Sequence, residues 1–204
     1  MQPKFSIIIS TIERTGQLAK FIEHLDKQTF RNFKLIIVDQ NDDKRLDPIL
    51  NNYRGKLVIE HFRSAKGVSR GRNKGRESMD GDFVTFPDDD CWYKNDLLER
   101  VVDIFLKNPD IDVISGRTID SQGHTSLGRF DKRSGRITKR NVFKRGNTNT
   151  LFFRREVVER IAFDEDLGPG AGTKWGSADE SDYILKALQV GFNIFYIHKL
   201  TIFH

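Results

Sequence analysis

Residues 82–93 read DFVTFPDDDCWY, and this stretch decides the fold. Its first half is aromatic or β-branched, which is typical of a buried strand, and Pro87 cannot donate to a strand ladder, so the strand is predicted to end there. Three carboxylates follow directly. If the chain stays extended, side chains alternate in direction, so Asp88 and Asp90 share one face about 6 to 7 Å apart while Asp89 turns away.

The paired carboxylates predict a metal site. Carboxylates this close repel each other unless a cation or a shared proton lies between them. Oxygen ligands suit hard divalent ions, so Asp88 and Asp90 are candidate ligands for Mg²⁺ or Mn²⁺. A solvated acidic turn is the alternative. The preceding strand favours the ligand site, because open α/β sheets bind ligands outside the carboxyl ends of their strands.

The composition predicts one soluble domain spanning residues 1–204. Charged residues make up 31% of the chain and hydrophobic residues 37%, which argues against a disordered protein. One cysteine excludes an internal disulfide, and no apolar run has the length of a membrane span or a signal peptide, so we expect a cytoplasmic protein. The net charge of +5 suggests anionic partners such as nucleotides, lipid phosphates or nucleic acid.

Apolar runs of strand length alternate with helical periodicities along much of the chain. This alternation predicts βαβ units, and hence an α/β fold with a mostly parallel central sheet flanked by helices. The first two strands end beside polar residues, with Thr11 and Glu13 after one and Asp39 closing the other. The predicted strands are residues 5–10, 34–39, 57–62, 82–86, 111–119, 147–154 and 192–197. The predicted helices are residues 17–28 and 47–53, a short helix within 63–76, residues 96–107 and 155–162, and one opening at 177–182.

Two segments carry excess basic charge. Residues 63–76 have glycines four apart, which fits neither a dinucleotide fingerprint nor a P-loop, but Lys66 and Arg72 could bind phosphate oxygens near a helix start. A solvated basic helix is the alternative. Residues 121–146 carry eight lysines and arginines against one aspartate and are predicted to form one long loop. This loop could contact an anionic acceptor, a lipid phosphate or a membrane face, or it could simply be solvated.

The last third of the chain contains a predicted lid and an acidic helix start. Residues 163–176 are rich in glycine, as mobile active-site loops often are. Ser177 and Glu180 match a capping box, in which Glu180 would only satisfy backbone donors. Alternatively, because Glu180 precedes Tyr183 and Ile184 by three and four residues, it heads the buried face of the helix and points into the domain.

The order of these parts resembles the inverting glycosyltransferases of family 2, which have the GT-A fold of nucleotide-diphospho-sugar transferases. The resemblance covers most of the chain and implies a nucleotide-sugar-binding half, residues 1–95, and an acceptor-binding half, residues 96–204. In that family a DxD motif after a central strand binds the metal and the donor diphosphate, and PDDDCWY is similar to it. With Lys66 from the basic segment, the residues predicted to bind the donor are Thr11, Glu13, Asp39, Lys66, Arg72, Asp88 and Asp89.

The resemblance also implies a catalytic base and a third metal ligand. The family's acidic pair at a helix start corresponds to Asp179 and Glu180 in reversed order, and position favours Glu180 as the base over Asp179. A histidine after the last strand binds metal in some members, so His204 would join Asp90 and Asp88. The implied reaction moves a sugar from a UDP-sugar, with Mn²⁺ or Mg²⁺, to a carbohydrate or lipid-linked acceptor in polysaccharide or glycoconjugate synthesis, with peripheral contact at the inner membrane face through residues 121–146.

Two other functions fit parts of the sequence. A sugar-phosphate nucleotidyltransferase also uses metal-binding carboxylates on a parallel sheet, but it usually has a glycine- and arginine-rich loop after the first strand, and residues 11–16 contain one glycine. A nucleic-acid-binding module could use residues 121–146. That segment has little aromatic interleaving, however, and the carboxylates of residues 88–90 would repel a phosphate backbone, so we predict no nucleic-acid partner.

Overall fold

A mixed sheet forms the centre of the fold in a computed structural model, which describes residues 3–204. Its eight strands within those residues are β1 (Phe5–Thr11), β2 (Phe33–Asp39), β3 (Val58–Arg63), β4 (Phe83–Thr85), β5 (Val113–Ile119), β6 (Gly135–Arg136), β7 (Leu151–Arg154) and β8 (Ile194–Phe203). They lie in the order β3-β2-β1-β4-β7-β5-β8-β6. Strands β3, β2, β1 and β4 are parallel, as are β5 and β8, whereas β7 runs antiparallel to β4 and β5 and β6 antiparallel to β8.

Helices cover both faces of this sheet. They are α1 (Thr15–Asp26), α2 (Asp47–Asn51), α3 (Val68–Arg76), α4 (Leu97–Lys107), α5 (Val142–Arg145), α6 (Arg155–Arg160) and α7 (Asp179–Val190). Within residues 3–204, no helix combines the length and the apolar character needed to cross a membrane. The predicted α/β fold with a mostly parallel sheet flanked by helices is confirmed.

Each face of the sheet has its own apolar cluster. Because successive strand residues point to opposite faces, Ile7 and Ile9 of β1 belong to the cluster that includes residues of α1 and α4, whereas Ile8 belongs to the cluster that includes residues of α6 and α7. Burial on both faces explains why the first two strands read as continuous apolar runs. With both faces covered, the strand ends are where polar groups of the sheet can meet a ligand.

Three local predictions were wrong. The last strand runs to Phe203 rather than ending at residue 197, because an irregularity between Ser115 and Arg117 lets β8 resume pairing with β5. Residues 121–146 are not a continuous loop, since they contain β6 and α5, anchored by the buried side chains of Ile137 and Val142. Residues 148–150, predicted as strand, form a 3₁₀ turn. The side chain of the preceding Asn147 accepts a hydrogen bond from the Asn149 amide.

The close approach of α3 to β1 depends on Gly75. A Cβ at this position would lie 2.3 Å from Cγ2 of Ile8. We therefore expect Gly75→Ala to lower the free energy of unfolding by about 1 to 3 kcal/mol, as measured by urea denaturation. The control is Gly16→Ala in α1, where no neighbouring atom lies within 4 Å and alanine should stabilise by up to about 1 kcal/mol. Equal stability of the two variants would contradict the predicted clash.

Candidate active site

A cleft opens at the carboxyl ends of β1, β2 and β4. It has a volume of about 260 Å³, and we call it the strand-end cleft. Thr11 at the end of β1 pairs in register with Asp39 at the end of β2, and the three aspartates follow β4 at the same edge. The polar and charged side chains that line the strand-end cleft are those of Ser10, Thr11, Arg14, Gln40, Lys66, Asp88 and Asp89.

The three aspartates form a turn, so the prediction of an extended chain with Asp88 and Asp90 on one face was wrong. The Cys91 amide donates to the Asp88 carbonyl at 3.4 Å, and the Asp88 amide donates to Oδ1 of Asn149 at 2.8 Å. The turn directs Asp88 to Arg72, and Asp89 and Asp90 to Arg14, and these cations offset the repulsion among the three carboxylates.

Asp89 is the most deeply placed of the three. Its carboxylate accepts a hydrogen bond from Thr11 Oγ1 at 2.5 Å and one from Arg14 Nη1 at 3.2 Å. Burial raises the pKa of Asp89 to about 6, against the lowering effect of Thr11 and Arg14. Thr11 and Asp89, two of the predicted donor-binding residues, therefore line the strand-end cleft and are hydrogen-bonded to each other.

Asp90 lies beside His204 at the end of the acidic turn. Nε2 of His204 is 3.5 Å from Oδ1 of Asp90, and among residues 3–204 this buried oxygen has no hydrogen-bond partner. The backbones of Trp92 and Phe203 exchange two hydrogen bonds of 3.0 Å, and their rings stack with centroids 5.4 Å apart. This bridge ties the acidic turn to the end of β8 and brings the two predicted ligands together.

The donor set at Asp90 and His204 fits a divalent cation in part. A carboxylate oxygen without a partner and an imidazole nitrogen suit Mn²⁺ or Mg²⁺, which commonly takes one or two carboxylates and completes its shell with phosphate and water. Asp88 turns instead toward Arg72. Across residues 3–204, no group of three His, Cys, Asp or Glu side chains is arranged to hold a metal. The remaining ligands would therefore have to come from the substrate and from water.

Arg72 is buried and bound to two carboxylates. Its Nη1 donates to Asp179 Oδ2 at 2.5 Å and its Nη2 donates to Asp88 Oδ1 at 2.9 Å, while its side chain is 4% exposed. The guanidinium also lies 5.1 Å from the ring of Phe163. Arg72 was predicted to bind phosphate, but in this structure it joins the acidic turn to the start of α7.

Asp39 and Glu13 are not part of the lining of the strand-end cleft. Asp39 is completely buried and accepts hydrogen bonds from the backbone and side chain of Asn41, with His61 and Arg63 each 3.0 Å from its carboxylate. Glu13 is exposed and has a positive φ of 63°. These two predicted donor-binding residues do not line the cleft, whereas Thr11, Lys66, Asp88 and Asp89 do.

A second cleft, the α7 cleft, adjoins the first. It has a volume of about 370 Å³, and its charged and polar lining includes Arg72, Asp88, Asn147, Thr148, Asn149, Asp179 and Glu180. Glu180 Oε2 accepts from Thr148 Oγ1 at 3.4 Å. Burial raises the pKa of Glu180, and the charge of Asp179 raises it further while Arg72 opposes both.

The capping-box alternative for Glu180 was wrong. Helix α7 begins at Asp179 with Ala178 at its cap, where φ is 76°, and no side chain caps the helix. Glu180 is therefore not engaged with the backbone through a Ser177 capping box. Asp179, in contrast, is 4% exposed and is held by Arg72, so the two acidic residues have different surroundings.

The predicted lid forms part of both clefts. Its Pro169 carbonyl accepts from the Val68 amide at 3.0 Å, and its Leu167 carbonyl accepts from Ser69 Oγ at 2.8 Å, which fixes the segment against the start of α3. Pro169 and Val68 line the strand-end cleft and the α7 cleft alike. Whether residues 163–176 open and close stays a prediction.

Sequence reasoning missed several residues of these clefts. Gln40 lines the strand-end cleft and ties it to α3 through a 2.8 Å bond to the Gly67 carbonyl, and it directly follows the predicted Asp39. Arg14 follows the first strand by three residues. Thr148 and Asn149 belonged to a segment predicted as strand. Residue position after a strand could have indicated the first two, but not the last two.

The sequence matches the family model described as Glycosyl transferase family 2 over residues 6–165. The chain belongs to glycosyl transferase family 2. The matched part includes β1, β2, β4 and the three aspartates, and it ends before Glu180 and His204. The roles predicted for these two residues therefore rest on their geometry and on the resemblance rather than on the match.

Curated members of the family are similar to this chain over most of its length. A GalNAc(5)-diNAcBac-PP-undecaprenol beta-1,3-glucosyltransferase of Campylobacter jejuni is 24% identical over 214 residues, covering 98% of this chain and 68% of that protein. An uncharacterized glycosyltransferase of Haemophilus influenzae is 25% identical over 189 residues, covering 90% of this chain and 62% of that protein. The chain thus spans about two thirds of the length of these relatives.

Solved structures share the fold. The crystal structure of S. aureus TarS 1-349 in complex with UDP-GlcNAc has a TM-score of 0.82 and 21% identity, covering 98% of this chain and 58% of that one. The mannosyltransferase PcManGT from Pyrobaculum calidifontis, in complex with GDP-Man and Mn²⁺, has a TM-score of 0.73 and 15% identity, covering 100% and 57%. The predicted GT-A fold is therefore confirmed for this family member.

Proposed function

We propose that this chain moves a sugar from a nucleoside diphosphate sugar to an acceptor hydroxyl, with inversion at the anomeric carbon. The observation that carries the proposal is the meeting of the strand-end cleft and the α7 cleft at Asp88, which lines both. An anomeric carbon bound at this junction would have its leaving diphosphate toward the strand ends and the Glu180 carboxylate on the other side. That arrangement supports a single displacement.

The strand-end cleft suits the nucleoside diphosphate. Lys66 supplies positive charge for phosphate oxygens beside the start of α3. Asp39 is buried, so we propose that it supports the nucleotide by orienting Asn41 and Arg63 rather than by direct contact. A UDP-sugar is the proposed donor, supported by the UDP-GlcNAc complex of the related TarS fold.

The proposed metal site consists of Asp90 and His204, with Asp88 nearby. When bound, Mn²⁺ or Mg²⁺ would offset the negative charge that builds on the departing diphosphate. Oδ1 of Asp90 supports this assignment, because it lies 3.5 Å from Nε2 of His204 and accepts no hydrogen bond from any residue of 3–204. The Trp92–Phe203 bridge would keep both ligands in place while the substrate exchanges.

Glu180 is the proposed base. It takes the proton of the acceptor hydroxyl as the hydroxyl oxygen bonds to the anomeric carbon, and the bond from that carbon to the diphosphate oxygen breaks, its electron pair leaving with the diphosphate. The alternative base, Asp179, is already bound to Arg72. Arg72 would hold Asp88 and the start of α7 at a fixed separation, so that donor and base stay aligned.

The acceptor is proposed to be a carbohydrate or a lipid-linked sugar, and residues 96–204 would supply its site. Thr148, Asn149 and Glu180 of the α7 cleft all belong to this half. The undecaprenol in the name of the Campylobacter jejuni relative supports a lipid-linked acceptor. Peripheral membrane contact through residues 121–146 stays a prediction, and the exposed Phe143 of α5 would be its apolar element.

The proposal is tested by incubating the protein with a panel of sugar nucleotides, Mn²⁺ and lipid-linked or free sugar acceptors. We expect release of a nucleoside diphosphate with one of the UDP-sugars, dependent on the metal and on Asp90. Release of pyrophosphate from a nucleoside triphosphate and a sugar phosphate would indicate a nucleotidyltransferase instead. Binding of an oligonucleotide in preference to UDP would contradict both enzyme assignments.

The raised pKa of Glu180 predicts an acid limb in the pH–rate profile. Below that pKa the carboxyl group is protonated and cannot accept the acceptor proton, so kcat should fall about tenfold per pH unit. Because the charge of Asp179 contributes to raising the pKa, Asp179→Asn should move the limb to lower pH. The measurement is kcat against pH for both proteins. A limb that stays in place or moves to higher pH would count against Glu180 as the base.

A further inference from the structure

Arg14 occupies the mouth of the acidic turn. Its Nη1 donates to Oδ1 of Asp89 at 3.2 Å and forms a closer ion pair with Oδ2 of Asp90. The arginine side chain is 49% exposed, whereas that of Asp89 is 6% exposed and that of Asp90 is 25% exposed. A half-exposed cation thus pairs with one buried and one partly buried carboxylate.

This position conflicts with a metal ion on Asp90. Arg14 binds Oδ2 of the same carboxylate whose Oδ1 faces His204. A guanidinium and a divalent cation on one carboxylate repel each other at short range, where water screens charges poorly. The metal would therefore bind most tightly after Arg14 has left Asp90.

Arg14 is half-exposed at the edge of the strand-end cleft, where the donor diphosphate would offer it a second anion. The hydrogen bonds and ion pairs described for its guanidinium within residues 3–204 all go to Asp89 and Asp90. Its backbone caps the start of α1, so the side chain moves from a fixed base. Arg14 also lines the strand-end cleft with Lys66, where the donor diphosphate is proposed to lie.

We propose that Arg14 is a donor-binding residue with two alternative partners: the Asp89 and Asp90 carboxylates in the metal-free protein, and the donor diphosphate once a divalent cation is on Asp90. This inference rests on the proposed function. The exchange of partners makes metal binding and nucleotide binding cooperative. Both ligands favour the position of Arg14 away from Asp90, so each should strengthen the binding of the other by the same factor. Guanidinium groups suit this exchange because carboxylate and phosphate oxygens bind them with similar geometry.

The test compares Arg14→Gln with the native protein by Mn²⁺ titration at pH 8, followed by electron paramagnetic resonance, with and without UDP. Without UDP, the variant should bind Mn²⁺ about tenfold more tightly, since its competitor is gone. With saturating Mn²⁺, the variant should bind UDP about tenfold more weakly, since a phosphate ligand is lost. Tighter Mn²⁺ binding together with weaker UDP binding would show that Arg14 contacts the acidic turn in one state and the diphosphate in the other.

Two further variants complete the test: one keeps the positive charge at position 14, and the other removes a positive charge elsewhere. Arg14→Lys keeps the positive charge, so its affinity for Mn²⁺ alone should stay within about threefold of the native value, a small part of a typical coupling. Lys27→Gln removes a charge just beyond α1 that pairs with Glu23, and it should change neither constant. Unchanged or weaker Mn²⁺ binding by Arg14→Gln would overturn the inference, while Mn²⁺-dependent UDP binding by the native protein would leave the proposed function standing. A native protein whose UDP binding ignores Mn²⁺ would overturn both.

Discussion

Replacing Glu180 by glutamine should lower kcat by about 10²- to 10⁴-fold, the usual contribution of a general base, with little change in affinity for the donor. Glutamine keeps the shape of the side chain and can still contact Thr148, but it cannot accept the proton of the acceptor hydroxyl. The donor is proposed to bind in the strand-end cleft, which Glu180 does not line. The measurement is nucleoside diphosphate release, giving kcat, together with the Kd of UDP by calorimetry.

The matched control is Asp182→Asn on the same helical turn. Asp182 pairs with Lys186 at 2.6 Å along α7, so the loss of its charge should alter kcat by less than about threefold, as expected for a partly exposed pair. A Glu180→Gln variant with near-native kcat would remove Glu180 from the mechanism. If Asp179→Asn then abolished turnover with UDP binding intact, Asp179 would be the base.

The order of the strands and helices could be predicted because it depends on the spacing of apolar residues within each segment. Residues 5–10 and 34–39 each contain consecutive apolar residues, at positions 7–9 and 35–38, and such runs need a sheet covered on both faces. Helix α1 follows from apolar residues at helical spacing, with four of them buried in the structure. Neither inference requires knowledge of distant contacts.

The failures arose where distant residues decide the conformation. The turn at Asp88–Asp90 is stabilised by Thr11, Arg14 and Arg72, all from earlier parts of the chain, so local alternation could not predict it. The extension of β8 depends on pairing with β5, some 80 residues away in sequence. The periodicity of one segment carries no information about which distant segment it will contact or pair with.

The candidate site shows the same division. Thr11, Lys66, Asp88 and Asp89 could be placed at one cleft because each follows the end of a strand or begins a helix at that edge. The hydrogen-bond and ion-pair partners of these residues could not be predicted. A carboxylate or guanidinium finds the nearest opposite charge in three dimensions, so the pairing of Arg72 with Asp179, 107 residues later, is invisible in the sequence.

Because of that pairing, the loss of Arg72 should lower stability substantially. Its side chain is 4% exposed and that of Asp179 is 5% exposed, so both charges have left water. Such a pair need not stabilise the fold relative to an apolar pair, because burial of each ion is costly. Removing one partner is different, since the remaining charge stays buried without compensation.

We therefore expect Arg72→Met to lower the free energy of unfolding by about 3 to 5 kcal/mol, measured as a shift of the urea midpoint at constant slope. Arg70→Met on the same helix is the control, because the Arg70–Glu165 pair is 39% and 45% exposed and should be worth at most about 1 kcal/mol. The double variant Arg72→Met, Asp179→Leu removes both charges and should recover most of the loss. If Arg72→Met were no worse than Arg70→Met, or if the double variant were the least stable, the link between the acidic turn and α7 would not depend on a buried ion pair.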